Sequence, residues 1–139
     1  NNIEIPQTAI TTSDFIKSIK DMEIKNLIYD FKPAADTLHN AIGSFGKRSN
    51  INGSCTTPTS GSLFSPVGHP KGANNAVSNI SSVITGILDK NSGVLSCYST
   101  PNAWALSLPL VSNPNSFFCL DSTGTTEILN TSLTSTACK

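Results

Sequence analysis

Residues 13–43 read SDFIKSIKDMEIKNLIYDFKPAADTLHNAIG. Phe15, Ile16, Ile19, Met22, Leu27, Ile28, Phe31, Ala35, Leu38 and Ile42 recur at three- and four-residue steps. Lys17, Lys20, Asp21, Lys25 and Asp30 fill the other face. That period predicts an amphipathic helix over 13–42, roughly seven or eight turns long. Ser13 suits the N-cap, Asp14 suits the positive end of the helix dipole, and Gly43 ends the run. Pro33 lies inside and is expected to kink the helix or split it in two. The stripe of Phe15, Ile19, Leu27, Phe31 and Leu38 is expected to be the core face.

Upstream, residues 1–12 (NNIEIPQTAITT) read as an extended lead-in, with Pro6 opposing an early helix. Downstream, residues 43–93 are broken by Gly43, Gly46, Gly53, Pro58, Gly61, Pro66, Gly68, Pro70 and Gly72, the mark of a long loop. Leu63, Phe64 and Val67 are expected to pin that loop to the core. Within it, Val77, Ile80, Val83, Ile84, Ile87 and Leu88 sit at helical spacing and predict a short helix over 76–90. Asn91-Ser92-Gly93 ends it.

After Gly93 the period changes to two. Strands are predicted over 94–98, 103–110, 116–120 and 126–129, with Pro109 restricting its strand to an edge or an end. Trp104, Leu106, Leu108 and Leu110 share one face; Phe117 and Phe118 cannot both point inward. Asp121-Ser122-Thr123-Gly124 reads as a turn. Long helix, loop, short helix and antiparallel meander give one α+β domain, with the first helix packed on the sheet.

The chain has 139 residues, enough for a single domain with one core. Nine Lys and Arg balance nine Asp and Glu, and only 13% of residues are charged. Neutrality argues against a broad footprint for nucleic acid or anionic membrane. Twenty Ser, fifteen Thr and fourteen Asn supply the polarity instead, a look commoner outside the cell.

Cys55, Cys97, Cys119 and Cys138 contain no Cys-x-x-Cys pair, and His39 and His69 stand at no ligand spacing from them. No metal or cofactor site is expected. An even count at wide spacing favours two disulfides and an oxidising compartment, with three connectivities open. Each closed loop would stabilise by roughly 3–4 kcal/mol. Asp36 and His39, three apart on the helix, could suggest a hydrolase, but no Gly-x-Ser-x-Gly orders a triad. A surface histidine at a helix end is the plainer reading. No enzyme is expected.

Two stretches carry a family resemblance. Cys97-Tyr-Ser-Thr-Pro-Asn-Ala-Trp-Ala-Leu-Ser-Leu-Pro-Leu followed by Phe117-Phe-Cys-Leu-Asp-Ser-Thr-Gly124 and a distal Cys138 resembles bacterial type IV pilins. Phe31-Lys-Pro-Ala-Ala-Asp-Thr-Leu-His39, then Ser44-Phe-Gly and Cys55, looks like the pilin helix leaving for its αβ-loop. The likeness spans roughly residues 20–139 and is most specific over 97–124.

It implies a structural, non-catalytic subunit of a surface pilus serving adhesion, twitching motility or DNA uptake. The implied partners are copies of itself, other pilins, the membrane assembly machinery, and DNA or a host surface. It implies an extracellular fibre, and an apolar helix with a methylated N-terminus upstream of Asn1 that anchors the subunit before assembly. That upstream segment would be the membrane contact. By the same likeness Cys55 pairs with Cys97 and Cys119 with Cys138. Lys47 and Arg48, the adjacent basic pair, would be a weak DNA patch, against the ordinary reading as solvated cations. The rival from another class is a secreted adhesin or carbohydrate-binding module, exposing Trp104 or Tyr98.

Overall fold

The structure is a computed structural model and describes residues 12–91 and 94–139. Of the lead-in expected over 1–12, residues 1–11 lie outside these residues, as do Ser92 and Gly93 of the expected turn, while Thr12 is helical rather than extended. Helix α1 runs Thr12–Ile42, α2 runs Asn74–Lys90 behind a 3-10 turn at Lys71–Ala73, and four strands follow: β1 Ser96–Ser99, β2 Trp104–Pro109, β3 Phe117–Asp121 and β4 Thr126–Leu129. The strands form an antiparallel meander in the order β1-β2-β3-β4. A mixed α+β fold results, as the periods predict.

The bounds of the first three strands shift by one or two residues, and the helices differ in three details. Ser13 falls inside the first turn of α1, so it is not the cap. Helix α2 begins two residues before the apolar run, at Asn74. And α1 is continuous through Pro33. Proline removes one backbone hydrogen bond, but Phe31, Ala34 and Ala35 are buried on both sides of it, and that packing keeps the helix whole.

A larger correction concerns the stripe. Phe31 and Leu38 are fully buried and Leu27 is half-buried, yet Phe15 is 59% and Ile19 41% exposed. The face that reaches the core is Ile24, Ile28, Phe31, Ala35 and Leu38. Every residue from 12 to 20 is exposed. Asp21, expected on the wet face, is buried.

The core lies between α1, α2 and one face of the sheet. Phe31 stacks on Phe64 at 5.4 Å and meets Trp104 edge-on at 4.9 Å, joining helix, loop and sheet. Leu106, Leu108, Phe118 and Leu120 complete that face. Of the two adjacent rings, Phe118 points inward and Phe117 is half-exposed. Strand β2 is interior, so Pro109 sits at its end rather than on an edge.

The opposite face of the sheet is covered as well. Ala105 and Cys119 pack with Leu133 and Cys138 of the C-terminal segment. That is why β2 is buried on both faces and not only at alternate positions. Leu63 and Phe64 do pin the loop, whereas Val67 is 60% exposed.

Candidate assembly surface

Cys55 joins Cys97 and Cys119 joins Cys138. The first bridge ties the loop after α1 to β1; the second closes the C-terminal segment under β3. Around the first, Asn50 is fully buried, and its amide donates to the carbonyls of Ser54 (3.0 Å) and Cys97 (2.9 Å) while its oxygen accepts from the Thr59 amide (2.8 Å). Three backbone groups that the sheet does not serve are thereby satisfied. Nothing in local sequence distinguishes Asn50 from thirteen other asparagines.

The same loop closes the β1 edge through bridges at Asn50–Ser99 and Ser54–Ser96. Within the loop Gly46 bridges Ser62, and glycine is required: its φ is +96°, and a Cβ would sit 2.7 Å from the Leu63 amide nitrogen. The β4 edge has no strand beyond it among the described residues.

Asp121 organises the other end. Its carboxylate accepts from the Thr123 hydroxyl and amide, the Thr125 amide and the Cys138 amide at 2.5–3.3 Å. The turn reading of Asp121 therefore holds, and the bond to Cys138 extends it. Burial pushes the carboxyl up, but the Thr123 hydroxyl and the amides of Cys138, Thr123 and Thr125 outweigh it and hold the group below the usual value. A carboxyl lowered on folding adds stability above its unfolded value, near 3.9, and that stability is lost as pH falls through the folded value. Denaturation midpoints from pH 7 down to pH 2 should therefore fall more steeply below about pH 4 in the parent than in Asp121→Asn. Equal slopes would remove Asp121 from the acid response.

The other expected site residues are dispersed. Asp36 takes Lys32 as an ion pair at 2.9 Å, and His39 is an exposed ring against Phe45 at 4.6 Å. No triad forms from them. Lys47 and Arg48 are exposed, with the Arg48 amide tied to the Gly61 carbonyl, while the nearby rings Phe45 and Phe64 are buried and offer no stacking face. Trp104 is fully buried, and Tyr98 is half-buried against Gly53. Among the described residues no cluster of acids, histidines and cysteines could hold a metal, and no helix is long and apolar enough to cross a membrane.

What stands out is the N-terminal arm of α1. At about 100° per residue, Phe15, Ile19 and Met22 lie roughly opposite Ile24, Ile28 and Phe31 around the helix axis. The apolar stripe therefore changes sides near residue 22. C-terminal to that point it faces the sheet; N-terminal to it, three large apolar side chains at 41–64% exposure face away. Tyr29 and Ile128 are exposed further along, on either side of Phe118, whose ring meets Tyr29 at 6.0 Å and lies 5.3 Å under the Lys25 ammonium. Compared with known proteins, the chain matches no family model, no curated protein and no solved structure.

Proposed function

We propose that this chain is the globular domain of a type IV pilin, a non-catalytic subunit that polymerises into an extracellular fibre. The observation that carries the reading is the change of side in α1. An apolar face that turned towards its own sheet would be core. This one points away from the sheet, and a second molecule packed against it would take it out of water. Copies joined through such arms would place helices inside and sheets outside, as the proposed fibre requires.

Two disulfides, one sheet edge closed by a bridged loop, and a C-terminal segment clamped by Asp121 suit a domain that must persist outside the cell. The family named in the proposal rests on the resemblance over 97–124. Its implied partners are copies of this chain, other pilins and the membrane assembly machinery. The carbohydrate-binding alternative loses its first candidate ring, because Trp104 is fully buried.

Immunogold electron microscopy of the native cells, with antibody against this domain, tests the proposal. Label spaced along surface fibres is the expected result. Label confined to the cell body, or protein recovered only as free monomer in the medium, would overturn it.

A further inference from the structure

Residues 12–20 are exposed throughout, and Asp21 is the first buried residue of α1. It is 7% exposed, although Lys20 and Met22 on either side are exposed. One carboxylate oxygen accepts from the Val111 amide at 2.6 Å; the other accepts from the Ser112 amide at 3.2 Å and from the Ser112 hydroxyl. These donors stand ninety residues away in sequence, in the loop joining β2 to β3.

The loop holds its own shape. The Leu110 amide donates to the Ser116 carbonyl, the Ser116 amide to the Asn113 carbonyl, and the Asn113 side chain accepts from the Asn115 amide. Its donors are therefore aimed at Asp21 in advance.

A leucine at position 21 would extend the core stripe without the desolvation cost of a buried carboxylate. What the acid adds is direction. Apolar contact is non-directional and tolerates some rotation of a helix about its axis. Two carboxylate oxygens held by successive amides do not. The grip also sits where the stripe changes sides.

We propose that Asp21 is a positioning residue. Its hold on Val111 and Ser112 fixes the rotational setting of α1 where the arm leaves the domain, so that Phe15, Ile19 and Met22 point away from the sheet. The use of that setting in fibre assembly rests on the pilin reading; the setting itself does not.

The test is a distance measurement on the monomeric domain, with nitroxides carried by non-cysteine labels at Ser18 on the arm and Glu127 on β4. The parent should give a narrow distribution, and Asp21→Ala one about twice as wide, because only the non-directional contacts remain. Ile84→Ala, a core variant remote from the arm, serves as the control for general loss of stability and should leave the width unchanged. An Asp21→Ala distribution as narrow as the parent's would overturn the inference, and so would equal broadening in Ile84→Ala. If Asp21→Ala does not fold, Asp21→Asn replaces it. That amide keeps an acceptor for Val111 but turns a donor towards Ser112, and an unbroadened distribution there is equally fatal. Absence of fibres in native cells would count against the pilin reading alone and leave this result untouched.

Discussion

Phe31→Ala is expected to lower the unfolding free energy by about 4 kcal/mol. The ring is fully buried and sits where three parts of the domain meet: α1, the Phe64 loop and Trp104 of β2. Truncation removes the transfer energy of the ring and leaves a cavity. Its walls are the rings of Phe64 and Trp104, which cannot close over it without moving the elements that carry them. Against a total of roughly 5–15 kcal/mol for an ordinary domain, this variant stands near the limit of folding. Urea denaturation should show a lower midpoint with an unchanged slope. Phe15→Ala is the matched control on the same helix. Its side chain is already more than half in water, and the change should stay within about 0.5 kcal/mol. Equal losses in the two variants would mean that the arm is held by the domain after all and has no face left for a partner.

That pair of variants also marks where sequence reading stops. The two phenylalanines lie in runs of three- and four-residue steps on either side of Met22, and hydropathy treats them alike. The signal that separates them is small: the step from Met22 to Ile24 is two residues, about 200° of rotation, where three or four would keep the stripe on one side. Read as angles rather than as a list of apolar positions, the sequence shows the break. What it does not show is which half meets the sheet, because that depends on strands seventy or more residues later.

Elements with strong local periods were legible for the same reason that they form. The α2 face, the meander and the Asp121 turn each depend on neighbours within a few positions. Buried polar residues are the opposite case. Asp21 and Asn50 have the composition of surface residues, and what buries them is a set of backbone donors and acceptors brought in by the fold. Asn50 reaches Cys97 across 47 residues of sequence. No local pattern encodes such a partner. The cysteines lie between these cases: their number pointed to two bridges, three pairings remained open on that number, and only the likeness to a family singled out the pairing that the structure contains.

The two bridges are expected to differ in what their loss does. Cys55 and Cys97 are 42 residues apart, and on the chain-entropy account their bridge stabilises by about 4 kcal/mol. Cys119 and Cys138 are 19 apart, which gives about 3 kcal/mol. The shorter loop is nevertheless the more exposed to local opening. The Cys55 side is also held by Asn50 and by two bridges to β1. The C-terminal side has the Asp121–Cys138 bond, the Leu133 amide on the Ser107 hydroxyl, and a small apolar cluster of Leu133 and Cys138 on Ala105 and Cys119. Cys55→Ala/Cys97→Ala should therefore unfold in one cooperative step at a lower urea midpoint. Cys119→Ser/Cys138→Ser should free the segment after β4 first and uncover Ala105 and Leu133, while the helix–sheet core stays closed. Hydrogen exchange separates the two. In the second variant the amides of Leu133 and Cys138 should lose protection while those of α1 keep theirs. Loss of protection in both regions together would mean that the C-terminal clamp belongs to the global fold. In that case Asp121 and its bond to Cys138 would contribute to the stability of the whole domain and not of its last segment alone.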